Sequence, residues 1–382
     1  MSLKIAQLGM KKIPSREGGI EIVVEQLATR MAERGHAVTC YNRSTHHVSG
    51  KDFDTGKIKE YRGVRNKYVP TLDKKGLAAV TSAFFATLCA SFGSYDVVHI
   101  HAEGPAFMCY LPKLFGKKVI VTVHGLDHQR AKWGKFASAF IMMGEKNAVR
   151  FADEIIVLSP GVQEYFEKTY GRKTVLIPNG VNRPEIVEEK EICEKFGLEK
   201  DGYLLFLGRL VPEKGVRYLI ESFRNINTSK KLVIAGGSSD SGGFVEELHT
   251  LAEGDDRILF TGFVQGRMLE ELYSNAYLYI LPSDLEGMPL SLLEAMSYGN
   301  ACLTSDIGEC AGVMEDHGLT FRKGDVNDLT EKLQQLCDDE ETVIGYKKEA
   351  SDYICSKYNW DDVTDRTLSL YESAGSGKKR KK

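Results

Sequence analysis

The chain has 382 residues, more than one typical hydrophobic core accommodates, so two domains are expected. Its composition, 42% hydrophobic and 27% charged, is ordinary for a soluble globular protein, and no internal period indicates a solenoid or an array. The net charge of -3 conceals an asymmetry: residues 1–180 carry 26 Lys and Arg against 16 Asp and Glu, whereas residues 181–382 carry 24 against 37. A basic first half is suited to something anionic, such as a phosphorylated substrate or a membrane surface; scattered surface lysines are the alternative.

The first half alternates short β-branched runs with longer helical patterns, which is typical of βαβ units around a parallel sheet. Strands are predicted at 3–9, 37–42, 96–101, 118–125 and 154–159, with a helix at 19–35. The uncharged segment 76–95 contains five Ser and Thr hydroxyls and is predicted to be a buried helix rather than a membrane span. Ligands gather at the carboxyl ends of strands in such sheets, so His101, His124 and Ser159 are predicted to lie near a site.

The segment VLIPNGVNRPE, residues 175–185, combines a short strand, an Asn-Gly turn and two prolines, and it predicts a domain boundary. A second series follows, with strands predicted at 203–210, 231–237, 257–264, 276–283 and 301–306. The two halves therefore predict an α/β protein of two Rossmann-like domains facing across a cleft. The predicted domains are 1–180 and 181–359, and 373–382 is predicted to be a flexible basic tail.

The eight cysteines form no C-x-x-C pair, and most lie in apolar segments. This usage favours reduced, packed thiols over disulfides or a zinc site, and it indicates a cytoplasmic protein.

The first candidate site segment is Ser15-Arg16-Glu17-Gly18-Gly19, just before the first predicted helix. Paired glycines allow backbone N–H groups to approach an anion, and a helix start adds partial positive charge. A plain turn is the alternative. The dinucleotide fingerprint G-x-G-x-x-G is missing, which disfavours an NAD-dependent oxidoreductase.

The second segment is GRLVPEKG, residues 208–215, in which Arg209 ends a predicted strand and Lys214 precedes a helix. A guanidinium offers a planar fork to phosphate oxygens, and an ammonium adds a mobile point charge. Together they suit a diphosphate leaving group. An exposed, salt-bridged pair is the alternative.

The third segment, His124-Gly125-Leu126-Asp127, follows an apolar strand, where a histidine can donate to a ligand hydroxyl. A structural histidine is equally compatible with this position. Arg130, Lys132 and Trp133 follow and form a basic and aromatic cluster suited to a sugar or a lipid headgroup.

The fourth segment is LEGMPLSLLEA, residues 285–295, in which Glu286 and Glu294 flank a bend. Pro289 suits the first turn of a helix, where a missing N–H costs nothing, and Glu294 then leans back toward the loop. A carboxylate in that position can accept both hydroxyls of a ribose. Glu286 and the amides from Gly287 to Leu290 can bind sugar hydroxyls and phosphate.

The last three of these segments, GRLVPEKG, HGLD and EGMPLSLLE, together with IPNGV at 177–181, closely resemble the retaining glycosyltransferases of family 4, which have the GT-B fold and an E-x7-E motif. The resemblance extends over nearly the whole chain in the right order. It implies a C-terminal helix, about 360–372, that returns to the N-terminal domain. It also implies that the first domain serves the acceptor and the second binds a nucleotide-sugar donor.

The resemblance implies a role for each matching residue. Arg209 and Lys214 would bind the donor diphosphate, and Glu294 the ribose. Glu286 would hold the donor sugar, together with the segment Gly287, Met288, Pro289 and Leu290. His124 would contact the far hydroxyls of that sugar, and Gly18 and Gly19 would line the phosphate and acceptor side. Asp127 and Arg130 are the acceptor-side candidates.

The resemblance further implies front-face transfer with retention of anomeric configuration, in which the leaving diphosphate takes the acceptor proton. No cofactor or metal is implied, because cationic side chains replace the metal and no Asp-x-Asp pair occurs in a candidate loop. The predicted partners are a nucleotide sugar, a glycan or lipid-linked acceptor and an anionic membrane surface, with no nucleic acid. A GT-B nucleotide-sugar epimerase, an inert homologue that only binds ligands, and transfer to a small-molecule acceptor remain alternatives.

Overall fold

The computed structural model describes residues 2–46, 50, 53–54, 56–74, 76–129, 134–237 and 242–373. The chain divides into two compact units. Met1–Asn179 and Trp360–Lys382 form the first, and Gly180–Asn359 forms the second. Each unit contains a largely parallel sheet with helices, and the predicted α/β class with two Rossmann-like domains is therefore confirmed. Of the predicted tail, residues 374–382 lie outside the described residues.

The sheet of the first unit has eight strands in the order β3-β4-β2-β1-β5-β6-β7-β8. They are β1 (Lys4–Leu8), β2 (Ala37–Arg43), β3 (Glu60–Tyr61), β4 (Val64–Val69), β5 (Val97–His101), β6 (Lys118–Val123), β7 (Glu154–Val157) and β8 (Val175–Leu176). Only the pairing of β3 with β4 is antiparallel among these strands. The chain runs outward from β1 in one direction and from β5 in the other, so loops diverge at the carboxyl ends of these two strands. That switch point is where open α/β sheets form ligand crevices.

In the part of the first unit that the structure describes, five helices connect these strands. They are α1 (Gly19–Glu33), α2 (Leu77–Phe92), α3 (Tyr110–Leu114), α4 (Lys135–Phe151) and α5 (Pro160–Tyr170). Ser159 caps α5 by accepting a hydrogen bond from the amide of Val162, and Pro160 fits the first helical position because its missing N–H needs no partner. Ser159, predicted from its strand-end position to lie near a site, is thus the N-cap of a helix.

Helix α2 corrects one expectation. Ala86 and Ala90 are buried against the rest of the unit, but Phe84, Phe85 and Phe92 are 39%, 37% and 70% exposed. The sequence predicted a wholly buried helix because the segment is apolar all round; only its small-residue face packs. Within the described ranges, no helix combines the length and the apolar character needed to cross a membrane.

The sheet of the second unit has six parallel strands in the order β11-β10-β9-β12-β13-β14. They are β9 (Tyr203–Leu207), β10 (Lys231–Ala235), β11 (Ile258–Gly262), β12 (Leu278–Leu281), β13 (Ala301–Ser305) and β14 (Leu319–Phe321). Strands β9, β12 and β13 are nearly completely buried, as expected for parallel strands covered on both faces. The switch point of this sheet lies between β9 and β12.

The described residues of this unit form eight helices. They are α6 (Glu191–Phe196), α7 (Val216–Arg224), α8 (Gly242–Ala252), α9 (Arg267–Asn275), α10 (Leu290–Ser297), α11 (Gly308–Met314), α12 (Val326–Asp338) and α13 (Glu340–Lys357). The last two have side-chain caps: Asp325 accepts from the amide of Asp328, and Asp339 from that of Thr342.

The final helix, α14 (Trp360–Ser373), belongs to the first unit. Arg34, the C-cap of α1, pairs with Asp361 at 2.9 Å and with Asp365 at 3.0 Å. Tyr371 is fully buried, and its backbone carbonyl accepts a hydrogen bond from Lys118. The first unit is therefore built from two stretches of chain that lie far apart in the sequence.

Candidate functional site

The loops after β9 and β12 meet at the switch point of the second unit. Lys214 Nζ lies 2.5 Å from Glu286 Oε1, and the amide of Asp284 donates to the carbonyl of Glu213 at 2.9 Å. Gly215 makes this approach possible: its φ is +66°, and a Cβ there would lie 1.9 Å from the carbonyl oxygen of Pro282. Two segments that the sequence singled out separately thus form one structural feature.

Glu286 receives two side-chain donors on the same oxygen. Ser283 Oγ lies 2.6 Å from Oε1, in addition to the Lys214 ammonium. Ser283 is held in turn by Ser305, whose hydroxyl donates to the Ser283 carbonyl. The side chains of Lys214 and Glu286 are only 12% and 9% exposed, so their charges attract each other more strongly than a surface pair would. The sequence assigned these two residues to different parts of a donor, and their mutual contact was not foreseen.

Arg209 follows β9 and is half-buried. Its loop is fixed against the end of β10, because the amide of Gly208 donates to Ala235 and that of Leu210 to Gly237. Within the part of the chain that the structure describes, the Arg209 guanidinium makes no hydrogen bond or ion pair. This group is therefore suited to binding an anion.

Helix α10 carries Glu294 in its second turn. Pro289, which was predicted to lie in the first turn of a helix, is the N-cap, and the helix begins at the next residue, Leu290. The Pro289 carbonyl accepts from the amides of Leu292 and Leu293, which begins the helical hydrogen bonding. Because proline has no N–H, Pro289 cannot itself donate to a ligand. Glu294 Oε2 accepts from the hydroxyl of Tyr273 at 3.4 Å.

The loop from Glu286 to α10 is packed. Gly287, Met288 and Pro289 are buried, and Leu290 is half-buried. Tyr273, which contacts Glu294, is fully buried and stacks on Tyr298 with ring centroids 5.2 Å apart. Burial, followed by the nearby Glu294 charge, raises the pKa of Tyr273, so its hydroxyl stays protonated and donates.

In the first unit, His124 ends a chain of polar contacts at the carboxyl ends of β1, β5 and β6. His124 Nε2 lies 3.1 Å from His101 Nδ1, and His101 Nε2 lies 2.8 Å from Gln7 Oε1. The amide group of Gln7 donates to the hydroxyl of Tyr371 at 3.4 Å. His99 contacts the same hydroxyl at 2.6 Å. The C-terminal helix α14 thus contributes to the support of His124.

These contacts determine which ring nitrogen of His101 carries the proton. The Gln7 carbonyl oxygen is an acceptor, so His101 Nε2 donates to it and Nδ1 accepts from His124 Nε2. A neutral His124 then presents Nδ1 as an acceptor, whereas the sequence predicted a donor to a ligand hydroxyl. Burial lowers the pKa of His99 to about 3 and that of His101 well below its ordinary value, so both rings stay neutral.

Gly18 and Gly19 begin α1, with Gly18 as the N-cap in an extended conformation. The buried carboxylate of Glu21 lies beside this helix start: its Oε1 accepts from the amide of Lys11 at 2.8 Å. A Cβ on Gly18 would lie 2.8 Å from Glu21 Oε2. Part of the positive helix end is therefore compensated within the protein itself.

Asp127 begins a short 3₁₀ turn after β6, and its amide donates to Glu103 Oε2 at 2.9 Å. Arg130, Lys132 and Trp133 lie outside the described residues. No role was predicted from the sequence for Gln7, His99, Tyr371 or Glu103. Two histidines spaced by one residue in an apolar strand, with a glutamate two residues later, were the available signal.

Both units have the architecture of the GT-B glycosyltransferases, which is the class that the fold defines. Residues 188–379, half of the chain, match the family described as glycosyl transferases group 1. Residues 17–183 match glycosyltransferase family 4. The chain belongs to the glycosyl transferases group 1 family, and it is a GT-B glycosyltransferase with a family 4 domain in its first half.

Several relatives match nearly the full length of the chain. An uncharacterized glycosyltransferase of Methanocaldococcus jannaschii is 25% identical over 97% of this chain and 98% of its own. The sucrose-phosphate synthase of Thermosynechococcus elongatus is 23% identical, with a TM-score of 0.77 over 97% of this chain and 98% of its own. The HepE protein of Anabaena in complex with UDP and glucose has a TM-score of 0.80 at 16% identity, over 97% of this chain and 100% of its own.

Proposed function

We propose that this protein transfers a hexose or deoxyhexose from a nucleotide-diphosphate sugar to a hydroxyl group of a glycan or lipid-linked acceptor, with retention of anomeric configuration, in cell-surface polysaccharide biosynthesis. The observation that carries the proposal is the contact of Lys214 with Glu286 at the sheet switch point, close in sequence to Arg209, whose guanidinium has no partner among the described residues. The binding of UDP and glucose by the HepE protein supports a nucleotide-sugar donor for this chain as well.

The donor roles follow from charge and reach. Arg209 and Lys214 supply two positive charges for a diphosphate, and the Glu294 carboxylate accepts from ribose hydroxyls. Glu286 accepts from a donor-sugar hydroxyl, assisted by the amides of Gly287, Met288 and Leu290. Pro289 has no backbone N–H and therefore donates no hydrogen bond to the donor sugar.

The transfer itself breaks the bond between the anomeric carbon and the diphosphate oxygen and forms a bond to the acceptor oxygen on the same face. The acceptor proton moves to the leaving diphosphate. Negative charge on that diphosphate grows in the transition state, and Arg209 and Lys214 lower its energy. No protein carboxylate has to act as nucleophile in this scheme.

The first unit serves the acceptor side in this proposal. His124, held in one tautomer by His101, accepts from a hydroxyl of the transferred sugar through Nδ1. Asp127 orients the acceptor hydroxyl together with Arg130, and Gly18 and Gly19 allow close approach of the α1 backbone to the phosphate side.

A lipid-linked acceptor is supported by the outer face of α4. Phe136 and Met143 are 92% and 44% exposed, and Ala139 and Lys146 lie on the same stripe at helical spacing. Exposed aromatic and aliphatic groups beside lysines suit the surface of an anionic membrane. Phe140 is not part of this face, because its ring packs on Phe107 at 5.0 Å. We expect a cytoplasmic protein that binds the inner face of the membrane.

Donor binding is proposed to need no metal, because Arg209 and Lys214 supply the positive charge that a divalent ion supplies elsewhere. The affinity for UDP is then expected to be the same with Mg²⁺ and with EDTA.

The proposal is tested by incubating the protein with UDP-, GDP- and dTDP-sugars, with and without a polyprenyl-linked or oligosaccharide acceptor, and identifying products by NMR. Acceptor-dependent release of nucleoside diphosphate and an unchanged anomeric configuration are expected. Conversion of the donor sugar without acceptor would instead indicate an epimerase, and binding without turnover an inert homologue. Transfer only to a small soluble acceptor would exclude the lipid-linked and glycan substrates.

A further inference from the structure

Three titratable side chains converge in the first unit outside the segments discussed so far. Glu103 follows β5, His128 follows β6, and Glu145 lies on α4. His128 Nδ1 is 3.4 Å from Glu145 Oε2 and 3.9 Å from Glu103 Oε1, and one ligand atom from each residue lies within 4.8 Å of the others. Both glutamates are fully buried, and His128 is 14% exposed.

Each carboxylate is held by one oxygen and directs the other into the cluster. Glu103 Oε2 accepts from the amide of Asp127, and Glu145 Oε1 accepts from the hydroxyls of Tyr165 and Tyr170. The remaining atoms, Glu103 Oε1, Glu145 Oε2 and His128 Nδ1, are buried and form no hydrogen bond with any described residue. Partners that fix one oxygen of a ligating carboxylate and leave the other available are typical of the outer shell of metal sites.

The backbone is shaped to bring these groups together. Helix α4 crosses the loop after β5 at Gly144, where a Cβ would lie 2.0 Å from the carbonyl oxygen of Glu103. Only glycine permits this approach, and the next residue is Glu145. Ile141, Gly144, Glu145 and Ala148 form the buried face of the helix, so Glu145 is directed inward among apolar neighbours.

Two buried carboxylates this close together repel each other, and a protonated His128 balances only one of the two charges. Either a proton shared by the two glutamates or a divalent cation bound between them relieves this repulsion. A bound cation also coordinates the buried Nδ1 of His128, whereas a proton shared by the glutamates leaves that nitrogen without a hydrogen-bond partner among the described residues.

We propose that Glu103, His128 and Glu145 form a binding site for a divalent transition-metal cation, of which Zn²⁺ and Mn²⁺ are the best suited. This site goes beyond the proposed transfer activity and does not depend on it.

The donor set and its spacing favour this class of ion. Two carboxylate oxygens and one imidazole nitrogen are ligands of Zn²⁺ and Mn²⁺, whereas Mg²⁺ prefers oxygen ligands and retains several waters. With bonds of about 2.1 Å, tetrahedral ligand atoms lie about 3.4 Å apart, close to the two distances to His128. Two carboxylates, a neutral imidazole and a dication also sum to zero charge. Three protein ligands leave a coordination position for water.

The bound ion would join three elements of the first unit. Its ligands come from the loop after β5, the 3₁₀ turn Asp127–Gln129 and α4. Because Asp127 donates its amide to Glu103, the cation would also fix the backbone of the proposed acceptor-side residue.

The test uses the full chain without a polyhistidine tag, stripped with EDTA and then titrated with Zn²⁺ or Mn²⁺ alone. About one equivalent of bound metal per chain is expected to remain after gel filtration, as measured by inductively coupled plasma mass spectrometry. The melting temperature of the protein is expected to rise when the metal is added. Glu103→Gln and Glu145→Gln are each expected to weaken binding at least ~10-fold. His317→Asn is the control, because His317 also faces a glutamate at 3.4 Å but belongs to the second unit.

The Glu103→Gln variant also distinguishes a cation-binding site from a pair of carboxylates that merely share a proton. It removes one buried charge at nearly constant volume, so metal-free Glu103→Gln is expected to melt at or above the temperature of the metal-free wild type and not to respond to metal. If the wild type retains no metal equivalent, or if both glutamine variants bind as well as His317→Asn does, the proposal is wrong. The wild-type titration decides this even if a variant fails to fold.

Discussion

The ammonium group of Lys214 lies 2.5 Å from Oε1 of Glu286, a residue 72 positions further along the chain. Both side chains are nearly buried, and the Ser283 hydroxyl contacts the same carboxylate oxygen. The pair couples the two loops that diverge at the switch point of the second sheet. A change in either residue therefore alters the charge and the position of the other.

Replacing Lys214 by alanine is expected to lower kcat for transfer by roughly 10²–10³-fold, because a charge that stabilises the leaving diphosphate is lost. Steady-state release of nucleoside diphosphate measures the effect. Lys348→Ala, which removes an exposed lysine of the same unit, is the control and is expected to retain wild-type turnover. Unchanged turnover in Lys214→Ala, with an intact circular dichroism spectrum, removes Lys214 from the mechanism.

Glu294→Gln is expected to reduce UDP affinity by about 10-fold, since an ionised acceptor of ribose hydroxyls becomes a neutral one. A comparison with 2′-deoxy-UDP, which lacks one ribose hydroxyl, isolates the contribution of the ribose contact to this affinity. Wild-type protein should prefer UDP, and the variant should lose most of that preference in calorimetric titrations.

Tyr273→Phe serves as the control for the ribose contact, because it removes only the hydroxyl 3.4 Å from Glu294. It should keep the preference for UDP. An equal loss of affinity for both nucleotides in Glu294→Gln contradicts a role in reading the ribose.

Gly215→Ala is expected to destabilise the second unit by more than about 2 kcal/mol, because the residue has positive φ and its new Cβ would clash with Pro282. Gly345→Ala is the matched control. Gly345 lies inside α13, and a Cβ added there would meet no atom within 4 Å, so alanine should stabilise by up to about 1 kcal/mol. Relative to the wild type, the melting temperature is expected to fall in Gly215→Ala and to rise in Gly345→Ala.

The neutral state of His99 predicts a pH dependence of stability. Its folded pKa of about 3 lies below the ordinary 6.5, so the unfolded chain takes up a proton first as the pH falls. The contribution of neutral His99 to the free energy of unfolding is fully present above about pH 6.5. It is lost as the pH falls toward about 3, by up to about 1.4 kcal/mol per pH unit. His101 adds to the loss in the same direction.

Thermal unfolding at about pH 7 and about pH 5 measures this loss, and His99→Gln is expected to lose less stability between them than the wild type. His249→Gln, which alters an exposed histidine, should follow the wild type. A His99→Gln protein with the same pH dependence as the wild type would show that His99 does not stay neutral in the folded state.

Local patterns were sufficient to predict the elements and the candidate segments, because both depend on residues close in sequence. The strand predicted at 3–9 is Lys4–Leu8 in the structure, and the one at 96–101 is Val97–His101. The contact of Lys214 with Glu286 was not predictable in this way. It depends on β12 pairing with β9 rather than following β11, and no residue pattern within either strand specifies its neighbour.

The side of an element that packs inward was also difficult to predict where both sides are apolar. Phe84 and Phe92 looked like core residues of a buried helix, yet they are exposed because the alanines of the opposite face give the closer packing. The convergence of Glu103 and Glu145 was not predictable from the residues around them. Each is a single carboxylate in an apolar context, and only the crossing at Gly144 brings them together.

The burial of Tyr371 in the first unit constrains when that unit can form. Its hydroxyl contacts His99 and Gln7, two buried groups that a fragment ending near residue 179 would leave without this partner. On the ribosome, residues up to 179 emerge before α14, so this unit lacks that helix until residues 180–359 have been synthesised. Its polar core, which supports His124, is therefore completed only after translation of the second unit.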